Sequence, residues 1–326
     1  MIRVNQEIAE FKNLPNEFRK NGYFVVSKDD YAFVVSSEEF PKPFQNAQKE
    51  TKKYELFLSA LLHGNEVGGI QVLNHFAKKI ITDKIKIPHS FFFCLGNIEA
   101  AQKGVRFIER DLNRSFLAPS TELLEEKLAV RISNYVKDCA YCIDIHQTNQ
   151  DAVTPFMIFI YTSEKMNFSR HMDAQIPVIV SVEERHKDGS TLDFYCYKHN
   201  IISTTLELGK TGFHEKQADF GVAYLSNFLT LPDLHKEEPF KNVYRVADTI
   251  YWFDDRIALH PGYNNFSMIK KGEVLGKKGE ADYPSPYDGV MLFPKYGDIA
   301  LKTKEVFTIA QSVLSFEDLK KPKDAK

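Results

Sequence analysis

Between residues 54 and 228, continuous apolar runs alternate with segments of helical periodicity. The run Tyr54–Leu62 reads YELFLSALL, which is typical of a strand buried in a sheet covered on both faces. The segment IQVLNHFAKKI that follows has its apolar residues on one helical face. Further candidate strands and helices lie at Phe91–Leu95, Thr121–Val136, Tyr141–Ile145, Phe156–Tyr161, Pro177–Val180, Ile201–Leu208 and Lys216–Phe228. This alternation predicts an α/β fold with a largely parallel sheet flanked by helices.

The sequence on either side of this stretch has a different pattern. Residues 1–20 read as a helical or loose lead-in, residues 22–36 as two short strands joined at Asp29-Asp30, and residues 38–53 as a loop. From about residue 241, short β segments separated by Gly, Pro and Asn precede a charged tail, KKPKDAK, which we expect to be disordered. We therefore expect an N-terminal extension with a β-hairpin (1–53), an α/β domain that carries the site (54–240), and a β-rich C-terminal domain with its tail (241–326).

The charge balance excludes some classes of partner. With 42 basic and 44 acidic side chains, the net charge of −2 gives no reason to expect nucleic acid or an anionic membrane. No apolar run approaches the roughly 20 residues that span a bilayer. The N-terminus is polar and acidic, unlike a secretory signal, and the four cysteines are too sparse for a disulfide scaffold. Together these features favour a cytoplasmic protein.

Polar side chains follow three of the predicted strands, at His63, His146 and Glu207. Ligands of such sheets bind at the carboxyl ends of strands, so these groups should meet at one edge. His63 and Glu66 are spaced to point to one side, and with His146 they supply ligand types that suit Zn²⁺. A lone HxxE pattern often occurs by chance, and a lone strand-end histidine is more often an ordinary polar residue. The coincidence of all three groups predicts a zinc site, with Asp144 or a backbone carbonyl orienting His146.

Two further features allow both a functional and a structural interpretation. Glu207 lies between leucines, where burying a carboxyl group is costly; it is either a general base or a glutamate that faces solvent or pairs with Lys210. The segment Arg106–Arg114, RFIERDLNR, holds three arginines and two acids. Arginine binds carboxylates through its planar fork. The segment is therefore either a site that recognises a small diacid and stabilises an oxyanion, or a solvated charged loop.

Cys139 and Cys142 form a CxxC pair, a pattern found in thiol–metal and redox sites. The sequence has no second such pair, and this one runs into an apolar strand. Cysteine in such a strand usually behaves as a small hydrophobic residue, so a structural role is favoured over a redox one.

Taken in order, HGNEVGG, a GN followed by RxxxRDLNRxF, DIHQT and TLELGK resemble the succinylglutamate desuccinylase/aspartoacylase family. That family belongs to the carboxypeptidase-like zinc hydrolases. The resemblance covers most of the chain from Tyr54 onward. The run GSTLDFYCYKHNIISTTLELGK looks more like the succinylglutamate desuccinylase branch, whereas HGNEVGG is slightly closer to aspartoacylase.

The resemblance implies a carboxypeptidase-like, mixed but mostly parallel sheet flanked by helices, with a C-terminal β domain that narrows the pocket. It implies one Zn²⁺ per subunit, held by His63, Glu66 and His146. Glu207 would be the general base, and Arg106 would polarise the scissile carbonyl and stabilise the oxyanion.

The same resemblance implies a carboxylate site. Asn113 and Arg114 would grip a substrate carboxylate, and Asp111 would brace their loop. About ten residues before the catalytic glutamate the family commonly has another arginine, where this sequence has Tyr197 with Lys198 beside it. Lysine can supply a point charge there but not a bidentate fork.

The implied reaction is hydrolysis of the amide of a small anionic N-acyl amino acid, with N-succinyl-L-glutamate as the expected substrate. The family also has a C-terminal tyrosine near the substrate, for which Tyr287 and Tyr296 are candidates. One alternative is an aspartoacylase-like or other N-acyl amino acid deacylase with the same metal site. A second is a scaffold that binds small anions without catalysis, which would need a broken ligand set or a missing base.

Overall fold

The computed structural model describes residues 1–39, 44–45, 51–87, 90–118, 121–181, 191–230, 242–251, 257–297, 305–313, 315 and 319. The helices of this part are α1 Ile2–Lys20, α2 Gly68–Thr82, α3 Ile98–Lys103, α4 Leu124–Val136, α5 Ser163–Met172, α6 Leu192–Lys198 and α7 Glu215–Asn227. Its strands are β1 Phe24–Asp29, β2 Ala32–Ser36, β3 Phe44–Gln45, β4 Thr51–Lys52, β5 Tyr54–Ala60, β6 Phe91–Leu95, β7 Cys139–Thr148, β8 Phe156–Ile160, β9 Val178–Ser181, β10 Ile202–Lys210, β11 Val243–Tyr251, β12 Ile257–Leu259, β13 Ser267–Ile269, β14 Val274–Lys278, β15 Ala281–Pro284, β16 Gly289–Leu292 and β17 Glu305–Ser312.

Twelve of these strands form one sheet, in the order β1-β2-β6-β5-β7-β10-β8-β9-β11-β17-β16-β13. Strands β6, β5, β7 and β10 run parallel at its centre. Strand β8 is antiparallel to β10, and β9 and β11 run parallel to β8. The mixed sheet with flanking helices and a C-terminal β-rich region confirms the predicted fold class. Its carboxyl edge at β5, β7 and β10 is where the candidate site lies.

Successive residues of the central strands bury their side chains on opposite faces of the sheet. Phe91 and Phe93 of β6 pack in the cluster that contains α1, α2, α5 and α7, whereas Phe92 and Cys94 pack in the cluster that contains α4 and α6. Every residue of β5, β6 and β7 is buried. Helices on both faces explain why these strands read as unbroken apolar runs.

The sheet extends beyond the central strands at both ends. The predicted N-terminal hairpin is present as β1 and β2; β2 pairs with β6, and β1 is the edge strand. In the C-terminal region β11 pairs with β9, through Val243 opposite Val178. The three-part division of the chain stays a prediction, and the sheet runs through all three parts. The tail KKPKDAK and most of the predicted loop at 38–53 lie outside the described residues.

Some helices are absent from the sequence prediction. Helix α6 reads LDFYCYK, whose aromatic residues have modest helix propensity, and Thr191 Oγ1 caps it by accepting from the backbone N–H of Phe194 at 3.1 Å. Helix α4 begins at Leu124, where the Glu126 carboxylate accepts from the backbone N–H of Leu123 at 3.1 Å. No helix in the described part of the chain is both long and apolar enough to cross a bilayer.

Candidate active site

The carboxyl ends of β5, β7 and β10 bring four polar side chains together. His63 and Glu66 lie between the end of β5 and the start of α2. His146 lies near the end of β7, and Glu207 is its direct partner in the parallel pairing with β10. The structure thus gathers the side chains that the sequence analysis placed at three separate strand ends.

The turn after β5 depends on close backbone approaches. Leu61 adopts φ 61°, a left-handed conformation that is unusual for leucine, and its carbonyl accepts from the backbone N–H of Asn97 at 2.7 Å. A Cβ at Gly96 would lie 2.7 Å from that carbonyl oxygen. A Cβ at Gly64 would lie 2.4 Å from the backbone of Ala100 in α3. The glycine of the HGNE motif therefore allows the turn that carries the site to pack directly against α3.

His63, Glu66 and His146 form a tight, buried cluster whose possible ligand atoms all lie within 4.8 Å of one another. His63 Nδ1 lies 2.8 Å from Glu66 Oε1, His146 Nδ1 lies 2.8 Å from Glu66 Oε2, and the two Nδ1 atoms are 3.2 Å apart. Zinc–nitrogen bonds of about 2.0–2.1 Å place tetrahedral ligands about 3.3 Å apart. The donor set and its spacing therefore fit a zinc ion with only small outward movement.

The other ring nitrogens of both histidines face carboxylates. His146 Nε2 lies 2.6 Å from Asp144 Oδ2, and Asp144 Oδ1 accepts from Ser59 Oγ at 2.6 Å. His63 Nε2 lies 3.0 Å from Asp111 Oδ1. Donation of each Nε2–H to its carboxylate leaves both Nδ1 atoms as acceptors that face the cluster, the tautomer a metal ligand needs.

Glu66 and His146 affect each other's protonation within this buried cluster. Burial raises the pKa of Glu66, but His63 and His146 more than offset it and hold that pKa well below its usual value. Burial lowers the pKa of His146, but Asp144 and Glu66 more than offset it and raise that pKa well above its usual value. A proton on His146 and a divalent cation would compete for the same place, so cation binding should release a proton.

Glu207 differs from Glu66 because its carboxyl group has few compensating contacts. The side chain is buried, and Oε2 has no hydrogen-bond partner within the described residues. Burial raises the pKa of Glu207 to about 8, with smaller opposing effects from His146 and Arg106. The side chain faces the interior rather than solvent. A carboxyl group that titrates near neutral pH beside a candidate metal cluster can accept and return a proton.

Arg106 reaches the same cluster from the loop before Leu112. Its Nε donates to Asp111 Oδ2 at 3.0 Å, and Nη1 donates to Glu66 Oε1 at 3.1 Å. Nη2 lies 2.7 Å from His63 Nε2, and in the tautomer where that nitrogen donates to Asp111 it cannot also accept from Arg106. The guanidinium therefore keeps donor capacity for another acceptor at the centre.

The remaining residues of the predicted carboxylate site lie next to this loop. Asn113 Oδ1 accepts from the backbone N–H of Leu192 at 2.9 Å and so joins the loop to the start of α6. Arg114 Nη2 donates to Glu305 Oε1 at 3.3 Å, and Lys295 Nζ donates to Glu305 Oε2 at 2.7 Å. The C-terminal β region thus contributes a charged pair beside Arg114.

Lys198 is not brought into this cluster. It is exposed at the end of α6, with its ammonium over the rings of Phe194 at 5.2 Å and Tyr197 at 5.7 Å. After Lys198 the chain enters β10 at Ile202, the amino end of that strand. Ile202 lies five residues before Glu207, a length of about 16 Å along the strand at 3.3 Å per residue.

The other candidate residues from the sequence lie where their contacts indicate a structural role. Cys139 and Cys142 are buried free thiols, and burial raises the pKa of both well above the usual value, so neither forms a reactive thiolate readily. Tyr287 packs in the apolar cluster of the C-terminal region, and the Tyr296 hydroxyl donates to the carbonyl of Tyr263 at 2.8 Å. The place of the substrate tyrosine stays a prediction.

Sequence reasoning missed Lys295, Glu305 and Gln147. Gln147 directly follows His146 in DIHQT, so its place beside the cluster has a local signal. Lys295 and Glu305 have no such signal, because pairing between the segment after β16 and β17 brings them together, with the Lys295 N–H donating to the carbonyl of Val306 at 2.9 Å.

Two histidines, two glutamates and an arginine at the carboxyl edge of an α/β sheet are an arrangement typical of metal-dependent hydrolases. Residues 52–231, more than half of the chain, match the model of the succinylglutamate desuccinylase/aspartoacylase catalytic domain. The chain therefore belongs to the succinylglutamate desuccinylase/aspartoacylase family.

Individual relatives agree with this assignment. The succinylglutamate desuccinylase of Pseudomonas paraeruginosa is 29% identical over 248 residues, covering 68% of this chain and 74% of its own length. That of Pseudoalteromonas atlantica is 24% identical over 302 residues, covering 79% and 82%. The crystal structure of succinylglutamate desuccinylase from Vibrio cholerae has a TM-score of 0.68 at 20% identity, covering 89% and 91%. Murine aminoacylase 3 has a TM-score of 0.62 at 16% identity, covering 80% and 95%. The two structural likenesses show a shared fold.

Proposed function

We propose that this chain is a zinc-dependent deacylase that hydrolyses the amide of an N-acylated acidic amino acid, with N-succinyl-L-glutamate as substrate. One observation carries the proposal: His63, Glu66 and His146 converge with their ligand atoms within 4.8 Å, beside the buried Glu207. The names of the bacterial relatives support the choice of substrate.

His63, Glu66 and His146 would hold the zinc ion. When bound, such an ion acts as a Lewis acid that polarises a carbonyl group and makes water more acidic. Asp144 and Asp111 lie against the Nε2 atoms of the two rings, and by accepting an Nε2–H each would keep its imidazole in the tautomer that binds metal.

Glu207 would move the proton in this reaction. The water oxygen forms a bond to the acyl carbon while its proton passes to the Glu207 carboxylate. The carbon–nitrogen bond then breaks, and Glu207 returns the proton to the leaving amine. Its pKa, raised to about 8 by burial in the metal-free protein and lowered again by a nearby cation, suits both transfers near neutral pH.

Arg106 would stabilise the negative charge that develops on the carbonyl oxygen during attack. Asp111 holds its Nε, so the terminal amino groups are oriented towards Glu66 and the cluster without reorganisation. Prepositioned donors of this kind lower a reaction barrier by about 3–4 kcal/mol.

The charges around this centre support an acidic substrate. Arg106, Arg114 and Lys295 supply three positive charges, paired with Asp111, Glu305 and Glu66. Glu66 is also a proposed metal ligand, so a bound zinc ion would take up its negative charge. Burial lowers the pKa of Lys295, Glu305 opposes that shift, and Arg106 and Arg114 lower the pKa further. A substrate carboxylate would balance the remaining charge.

A substrate panel tests the proposal. N-succinyl-L-glutamate, N-acetyl-L-aspartate and other N-acyl amino acids would be assayed with the zinc-loaded and the chelated protein, by the amine released. We expect zinc-dependent turnover with succinylglutamate preferred. Preference for acetylaspartate would instead indicate an aspartoacylase-like deacylase. Binding without turnover of any amide would indicate a non-catalytic anion-binding scaffold.

A further inference from the structure

The Gln147 side chain amide is buried and uses its full hydrogen-bonding capacity. Its Oε1 accepts from the backbone N–H of Gly68 at 2.8 Å and of Gly212 at 3.2 Å. Its Nε2 has two hydrogens and three acceptors in reach, the carbonyls of Lys210 at 3.0 Å and Gly212 at 2.9 Å and Gln217 Oε1 at 2.5 Å. Donors on one side and acceptors on the other allow only one orientation of the amide.

These contacts join the three segments that carry the site. Gly68 begins α2, two residues after Glu66, and Gln147 follows His146 in β7. After Glu207, the end of β10 supplies Lys210, the following turn supplies Gly212, and α7 supplies Gln217. The backbone N–H of Gln147 also donates to Glu66 Oε2 at 3.0 Å. One residue therefore contacts the ligand segment and the segment of the candidate base at once.

Gln147 also lies opposite a β-bulge. The register of β10 against β7 shifts between Glu207 and Lys210, so that two residues of β10 lie opposite Gln147 alone. One of the two is Gly209, whose φ of 115° is rarely adopted by other residues. Bulges next to active sites redirect side chains, and their unpaired backbone groups need other partners. The Gln147 amide holds the chain just past the bulge, through the carbonyls of Lys210 and Gly212.

We propose that Gln147 is a positioning residue that holds the Glu207 carboxyl group in place relative to the His63, Glu66 and His146 cluster. The inference rests on the proposed function for its catalytic consequence. A displacement of the order of 1 Å at a reacting group can cost about 100-fold in rate, and outer contacts of a metal site typically contribute about 10- to 100-fold.

Two substitutions at this position conserve volume and remove different interactions. Gln147→Met leaves both the backbone N–H groups and the carbonyls without their partner. Gln147→Glu keeps the acceptor and places an oxygen against the carbonyls of Lys210 and Gly212. We expect kcat to fall about 10- to 100-fold in both, with KM within about threefold and zinc still stoichiometric.

Gly68→Ala displaces the same amide without changing Gln147. A Cβ at Gly68 would lie 2.5 Å from Gln147 Nε2, so the side chain must leave its contacts. The matched control is Gln71→Met in α2, since Gln71 is also buried and donates to Glu215 Oε1 at 2.9 Å. The control should lose stability but keep kcat, whereas Gly68→Ala should lose kcat.

Crystal structures and zinc analysis of parent and variants give readouts that need no substrate. We expect the bulge and the Glu207 carboxyl group to shift in Gln147→Met while His63, Glu66 and His146 keep their places. Parental kcat, an unmoved Glu207, loss of zinc, or a kcat loss equal to that of Gln71→Met would each overturn the proposal. If Gln147→Met does not fold, Gly68→Ala decides by the same measurements. A parent without activity on any N-acyl amino acid would defeat the proposed function, and the position of Glu207 would still test the inference.

Discussion

Replacing Glu207 by glutamine separates the role of this side chain in turnover from its effect on stability. Glutamine has nearly the same shape but cannot accept and return a proton at neutral pH. General acid–base catalysis contributes about 10²- to 10⁴-fold, so the barrier should rise by about 3–5 kcal/mol. Zinc should stay bound, because Glu207 is not among the three proposed ligands.

The same substitution should stabilise the chelated protein. Burial raises the pKa of Glu207 from 4.5 to about 8, so the folded state binds this proton more tightly than the unfolded state. Stability from this group is therefore greatest below about pH 4.5 and is lost as the pH rises to about 8. At about 1.36 kcal/mol per pH unit, keeping the group buried at pH 7 costs up to about 3 kcal/mol, an upper limit because the protein relaxes around a buried charge.

The gain in stability is measured by urea unfolding of the chelated parent and Glu207→Gln at pH 5 and pH 7. The loss of catalysis is measured by turnover of succinylglutamate by the zinc-loaded proteins. Glu55→Gln is the matched control, since burial also raises the pKa of Glu55 to about 8 and this residue lies at the opposite end of β5 from the site. The control should gain stability at pH 7 and keep kcat. A Glu207→Gln variant with more than a tenth of the parental kcat, or one less stable than the parent at pH 7, would refute the reasoning.

Three further substitutions test separate parts of the site. His146→Ala should bind less than stoichiometric zinc by metal analysis after dialysis, and full retention would contradict its assignment as a ligand. Asp144→Asn should lower zinc affinity or kcat about 10- to 100-fold, because its amide no longer accepts from the ring in the same way; chelator competition measures the affinity, and unchanged values would exclude the orienting role. Lys295→Met should raise KM for succinylglutamate about tenfold, since a positive charge beside Arg114 that would bind the substrate carboxylate is lost. Steady-state kinetics that show an unchanged KM would exclude a role of Lys295 in substrate binding.

The central strands and their site residues could be predicted because their signals are local. The run at Tyr54–Leu62 predicts a strand that the structure has at Tyr54–Ala60, and the polar residues directly after it share one turn. His146 and Glu207 each occupy the end of an apolar run. Because the carboxyl ends of parallel strands meet at one edge of a sheet, this was enough to predict that the two residues lie close together.

The rest depends on contacts between distant parts of the chain. Lys295 and Glu305 meet Arg114 only because strands of the C-terminal region pair around them, and no spacing in the sequence records that pairing. Lys198 was expected near the substrate from its distance along the chain to Glu207. Helix α6 ends at Lys198, and the chain from there enters β10 at the amino end of that strand, away from the site, so counting residues does not give proximity.

The parallel pairing of β11 with β9 limits how this architecture can be divided. The match to the catalytic domain ends at residue 231, before β11 begins at Val243. A fragment cut there would leave the backbone of β9 as an open edge, and Ile179 would lose its apolar neighbours Val246 and Val290. Chimeras that exchange the C-terminal region between relatives must therefore match the contacts between β9 and β11 as well as the substrate pocket. Otherwise the fragments will self-associate instead of folding.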